Sequence, residues 1–179
     1  MLLFWCFWIY SFLGYGLEKA FARVTHARKQ VRKAFLFSPL CPAYGLGMTT
    51  ALLLGAGEAE QIWEQMLVGA SAATAVEYAL HWGYEKFFGV RFWDYDALHF
   101  TLGGRVSLPF SLLWGVLSLA AFRFVQPVIE SFSAAVPLAA ANALLLAFTV
   151  DALYSARILL LSHDTERLAL GNLRAALRA

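Results

Sequence analysis

Five apolar runs, each about as long as a membrane is thick, constrain this chain more than any other feature: Met1–Ala22, Ala34–Gly55, Met66–Phe88, Ser107–Val125 and Val136–Leu161. A helix rises about 1.5 Å per residue, so about 20 apolar residues cross the roughly 30 Å hydrocarbon core of a bilayer. Inside that core each backbone N–H and C=O must be paired within its own segment, so runs of this length are expected to be α-helices. Composition agrees, with 60% hydrophobic and only 15% charged residues and a mean hydropathy of +0.61, well above the range of soluble domains. The expected fold is all-α, an integral membrane bundle of about five transmembrane helices. Residues 1–161 would form one domain, and residues 162–179 a cytoplasmic, amphipathic, basic tail.

The placement of charge orients the bundle. Basic residues gather at Arg23, Arg28, Lys29, Arg32 and Lys33, again at Lys86, Arg91 and Arg105, and finally at Arg157, Arg167, Arg174 and Arg178. The opposite connections carry Glu58, Glu60, Glu64 and Glu130, with Arg123 the one base near that side. By the positive-inside rule the N-terminus is outside and the C-terminus cytoplasmic, in a multi-pass protein of the cell inner (plasma) membrane. Ala20-Phe21-Ala22 imitates a signal-peptide cleavage site, but the basic cluster follows the apolar run instead of preceding it. In the tail, Leu170, Leu173 and Leu177 share one helical face and Arg167, Arg174 and Arg178 another, which suits a short helix on the inner leaflet or a solvated terminus. Cys6 and Cys41 begin antiparallel runs and are expected to be small buried residues with no disulfide between them. No nucleotide-binding loop, zinc spacing or nucleic-acid motif is present, so any ATP chemistry must come from another subunit, and no cofactor or metal is assigned.

Ionisable groups at membrane depth are costly and are functional candidates by default. Glu18 falls near the inner end of the first run, Glu77 near the middle of the third, His81 one turn further in, and Asp151 in the inner half of the fifth. All four are expected at the depth of a dense polar hairpin that runs from Glu85 through Trp93, Asp94, Tyr95 and Asp96 to Gly103, Gly104 and Arg105. Glu77, His81 and Glu85 follow i, i+4, i+8 spacing along one helix stripe, which suits proton relay or, with Asp94, Asp96 and His99, a metal; the plainer reading of His81 is an interhelical hydrogen bond. Asp94 and Asp96 also read as turn-capping acids, and Trp93 and Tyr95 as interfacial anchors. Arg105 has three possible partners at this point: Asp94, Glu18 or a lipid phosphate. Gly69, Ala70, Ala72, Ala73 and Ala75 permit close approach of a neighbouring helix.

The second run opens Ser38-Pro39-Leu40-Cys41-Pro42-Ala43-Tyr44-Gly45-Leu46-Gly47, and two prolines and two glycines in ten residues cannot be regular helix throughout. A broken or re-entrant start is expected, either as one wall of a substrate cavity or as a proline-kinked structural element.

Ser11-Phe12-Leu13-Gly14 with Glu18, the segment Phe37 to Gly45 containing CPxYG, Glu77-Tyr78, Trp93-Asp94-Tyr95, Gly104-Arg105 and the late Asp151 together resemble the CmpB family of type IV ABC-transporter permeases. The resemblance extends from the first run to the fifth; Asp96 departs from it, standing where a small polar residue is common. It implies a membrane transport subunit worked by a separate ATPase, with a polar site in the inner half of the bilayer. The residues assigned to that site are Glu18, Pro42, Tyr44, Glu77, His81, Trp93, Asp94, Tyr95, Arg105 and Asp151. Five spans enclose little space, so such a permease is expected to be a homo-oligomer among membrane lipids. An intramembrane enzyme acting on a lipid or lipid-linked substrate, with Glu77, His81 or Asp94 in catalytic roles, is the alternative, and a non-catalytic scaffold the second.

Overall fold

The computed structural model describes residues 1–25, 35–133 and 136–168. The Arg28 to Lys33 cluster and the tail beyond Leu168 lie outside these residues. Helix α1 (Leu2–Val24) is followed by α2 (Pro42–Leu53) and α3 (Ile62–Phe88). A two-stranded hairpin, β1 (Thr101–Leu102) and β2 (Val106–Ser107), leads into α4 (Leu108–Ala120). A π-helical turn at Ala121–Val125 joins α4 to α5 (Gln126–Ser133), and α6 (Leu138–Ser162) follows, ending in a short 3-10 turn at Thr165–Leu168.

Among the described residues two helices are long and apolar enough to cross a membrane, Leu108–Ser131 and Leu138–Ser162, with mean hydropathies of 1.7 and 1.8. Only 22% and 11% of these windows is buried, so their apolar side chains face outward, as lipid-exposed helices require and soluble core helices do not. With the family assignment below, this makes the chain a membrane protein.

The second run is shorter as a helix than its apolar length suggests. Residues 35–41 are non-helical, and α2 begins at Pro42, whose missing N–H costs nothing in the first turn. Twelve helical residues span only about 18 Å. The fourth run, conversely, continues past Val125 to Ser133. Pro127 explains the join, because its ring has no N–H to give and crowds the carbonyl four residues back. The chain widens one turn beforehand, and the Gln126 N–H reaches the Ala121 carbonyl in π geometry.

Helices α1 to α4 pack closely through small residues. A side chain at Gly14 would run into the Tyr44 ring, one at Gly69 into Ser118, and one at Gly115 would lie 3.0 Å from the Met66 carbonyl. Without a large hydrophobic driving force between helices in lipid, such close backbone approach is what holds a bundle together. The small-residue stripe of α3 thus serves two neighbours, since Ala70 faces Gly115 on α4 and Ala73 faces Gly47 on α2.

One end of the bundle gathers the C-terminal ends of α1, α3 and α6 and the N-terminal ends of α2 and α4. Phe21 meets Phe110 edge-on, and the Phe88 carbonyl lies 2.7 Å from His163 Nδ1. Gly89, in the left-handed region at φ 66°, closes α3 there. The hairpin folds back over this end.

Candidate functional site

The hairpin is built by its turn. Gly103 and Gly104 have φ of 58° and 65°, and the Arg105 N–H reaches the Leu102 carbonyl at 3.2 Å, a tight turn whose two central residues both take the left-handed conformation that glycine favours. The Trp93 indole N–H donates to the Arg105 carbonyl at 2.9 Å, and the Tyr95 N–H to the Gly104 carbonyl at 2.9 Å. Residues 93–105 therefore form a closed loop with Tyr95 held inward.

Tyr95 reaches the buried Glu77 carboxyl group. Its hydroxyl donates to Glu77 Oε1 at 2.9 Å, and its ring stacks on Phe110 at 4.9 Å. The other oxygen, Glu77 Oε2, accepts from the Trp114 indole N–H at 2.9 Å. Glu77 is 3% exposed, and the two neutral donors offset part of the cost of burying it. Trp114 also meets the Tyr44 ring edge-on at 5.2 Å, and the Tyr44 hydroxyl donates to Glu18 Oε1 at 2.9 Å. A continuous polar–aromatic chain thus runs Glu18, Tyr44, Trp114, Glu77, Tyr95.

One turn further in, His81 is 1% exposed and its Nε2 lies 3.0 Å from the Trp93 carbonyl, so Nε2 carries the hydrogen. Its bond goes to the hairpin backbone and not, as the plainer reading had it, to another helix. The ring packs edge-on against Trp93 at 5.3 Å. Glu85, third in the stripe, is an ion-pair hub. Arg105 Nη2 lies 2.9 Å from Glu85 Oε2, Arg105 Nη1 3.2 Å from the Tyr78 hydroxyl, and Arg91 grips Glu85 Oε1. Glu85 is therefore the partner of Arg105, in place of the Asp94 or Glu18 considered from sequence, and its hydrogen bonds hold both guanidinium groups above their ordinary range. Asp94 sits at the exposed rim, 3.4 Å from Arg91, and its Oδ1 accepts from the Asp96 N–H at 2.8 Å, the turn-capping geometry.

Asp151 is not brought into this chain. Its two oxygens accept from successive backbone amides, Phe37 at 3.0 Å and Ser38 at 2.8 Å, and Ser155 donates to it at 3.2 Å. The carboxylate holds the non-helical approach to Pro42, which itself opens α2. Among the described residues no three His, Cys, Asp or Glu side chains are grouped to hold a metal ion; His99, considered for one, is exposed on the hairpin.

A cavity of about 320 Å³ lies between α1, α2, α3 and α4. Its walls are Leu13, Leu17, Met48, Leu117 and Phe124 with other apolar groups, and Glu77, Tyr44 and Trp114 line it where the polar chain passes. Ala121, Phe124 and Val125, from the π-helical turn, complete the wall, and π turns often mark functional sites. Beyond it Tyr10, also lining, donates to Gln126 Oε1 at 2.9 Å, and Gln126 in turn donates to Glu130 at 2.9 Å. Sequence reasoning missed Trp114, Tyr10, Tyr78 and Gln126. The one signal available was Gln126 and Glu130 at i, i+4 next to a proline in an apolar run.

A model of the family described as "Putative ABC-transporter type IV" matches residues 5–156, most of the chain. No curated protein and no solved structure matches it.

Proposed function

We propose that this chain, which belongs to the family described as "Putative ABC-transporter type IV", is the membrane-embedded permease subunit of a transporter worked by a separate ATPase. The family's transport-related description supports this reading. In this reading the chain crosses the cell inner membrane five times, N-terminus outside and C-terminus cytoplasmic, and assembles with further copies because one copy encloses little space.

The cavity with Glu77 at its polar edge carries the proposal. Glu77 lies 15 residues into α3, roughly 22 Å along it, at a depth where an ionisable group requires a purpose. Tyr44 flanks the solute with Glu18 held behind it, while Tyr95 closes the cytoplasmic side by its bond to Glu77. His81 and Arg105 tether the hairpin, through the Trp93 carbonyl and Glu85, so that it acts as one rigid cap. Pro42 and Asp151 keep the backbone beside the cavity in its non-helical path. Release of the cap, which ends in the exposed Asp94 and Arg91, is the step an ATPase on the cytoplasmic face would drive.

Gentle extraction from the native membrane followed by native mass spectrometry tests this. An ATPase subunit is expected in the assembly, with a turnover that Glu77→Gln uncouples from transport. A self-contained assembly lacking any ATPase refutes the proposal.

A further inference from the structure

We propose that the solute taken by the cavity is a hydrophobic monocation, an organic amine or quaternary ammonium, and that anions of the same skeleton are refused. This rests on the reading of the cavity as the transport site and names its substrate class.

The argument begins with the sign of the lining. Of the described residues that wall the cavity, Glu77 alone carries a carboxyl group, and no lysine, arginine or histidine is among them. The basic groups on the hairpin side of Glu77 are engaged elsewhere: His81 donates to the Trp93 carbonyl, and Arg105 is turned onto Glu85 and Tyr78. An anion would therefore enter a low-dielectric space beside a carboxyl group with nothing to offset either the desolvation or the repulsion. A cation meets the opposite field.

The aromatic groups strengthen the preference. Tyr10, Tyr44, Trp114 and Phe124 all line the cavity, and the faces of such rings attract desolvated cations. The Tyr44 hydroxyl donates to Glu18, which adds a second carboxyl group behind that ring and deepens the negative potential on the same side. The remaining wall is aliphatic, so the rest of the molecule must be apolar. A space of about 320 Å³ suits a compact organic molecule and is too small for a two-chain lipid, since pockets of this size are typical of small-molecule sites.

Three ligands sharing one skeleton test the inference: phenylbutylamine, phenylbutanol and phenylbutanoate, titrated calorimetrically into the purified full chain in detergent. The amine is expected to bind at least about tenfold more tightly than the carboxylate, with the alcohol between them. In Glu77→Gln the amine should lose most of that advantage. The wild-type ranking needs no variant, so a poorly folding Glu77→Gln leaves the test intact. Equal or tighter binding of phenylbutanoate, or no binding by any of the three, overturns the inference. Amine binding by a protein that purifies without an ATPase would sink the transport reading and leave the cation site standing.

Discussion

Replacing Glu77 with leucine separates what its carboxyl group does for the fold from what its charge does for the site. The substitution leaves two donors facing an apolar group: the Trp114 indole N–H, on a residue only 9% exposed, and the Tyr95 hydroxyl, on a half-buried one. A buried donor left unpaired costs about 1–3 kcal/mol. Trp114 cannot turn to water and takes the middle of that range, whereas Tyr95 can rotate and takes the lower end, for a total of about 3 kcal/mol. In a protein of this size that corresponds to a fall in unfolding midpoint of about 6–12 °C. Glu77→Gln behaves differently. Its amide oxygen can accept from Trp114 while its NH₂ group donates to the Tyr95 oxygen, so both contacts survive as neutral bonds at a cost of about 1 kcal/mol. A thiol-reactive dye offers the assay, because Cys6 and Cys41 are buried, are in no disulfide and become labelled as the surrounding structure opens. Tyr95→Phe, harmful in the wild type, should cost almost nothing in the Glu77→Leu background. If Glu77→Leu melts with the wild type, or Glu77→Gln is as unstable as Glu77→Leu, the hydrogen-bond account of this group is wrong.

Gly104→Ala should loosen the hairpin by about 1–2 kcal/mol, since φ is positive there and a Cβ would lie 2.7 Å from Asp94 Oδ1 and 2.8 Å from Asp96 Oδ1; limited proteolysis between Tyr95 and Arg105 should speed up, and an unchanged cleavage rate would refute it. Asp151→Asn keeps one acceptor for the two amides of Phe37 and Ser38 and presents a donor to the other. A loss of about 1–3 kcal/mol local to that segment is expected, read as faster maleimide labelling of Cys41 with Cys6 unaffected.

The helical character of the chain and its two apolar spans, Leu108–Ser131 and Leu138–Ser162, could be read directly because such helices obey length and hydropathy. The broken start before Pro42 was legible in its prolines and glycines, and the packing role of Gly69 to Ala75 in its small residues. Glu77 and His81 stood out because ionisable groups are rare inside apolar runs. Their partners were not legible. Glu77 is satisfied by Tyr95, 18 residues away, and Trp114, 37 away, and nothing local encodes either meeting. Arg105 met Glu85 instead of Asp94 because the tight glycine turn aims its side chain back along α3. Asp151 was expected at the depth of the other acids but is bonded to a different segment, the Phe37 and Ser38 amides, a distinction that only the arrangement of helices around the bundle decides. The π turn arises from a contest between Pro127 and helix continuity that sequence periodicity does not resolve.

The clamp between Asp151 and the Phe37 and Ser38 amides also orders events in time. The acceptor follows its donors by 114 and 113 residues. At about 5–20 residues per second of synthesis, roughly 6–23 seconds pass before the carboxylate exists. Through that interval the non-helical approach to Pro42 carries two amides whose eventual acceptor has not been made. Biogenesis of this chain therefore completes backwards, α6 fastening a joint laid down before α2. A nascent chain stalled before α6 leaves the Phe37 and Ser38 amides without the Asp151 acceptor.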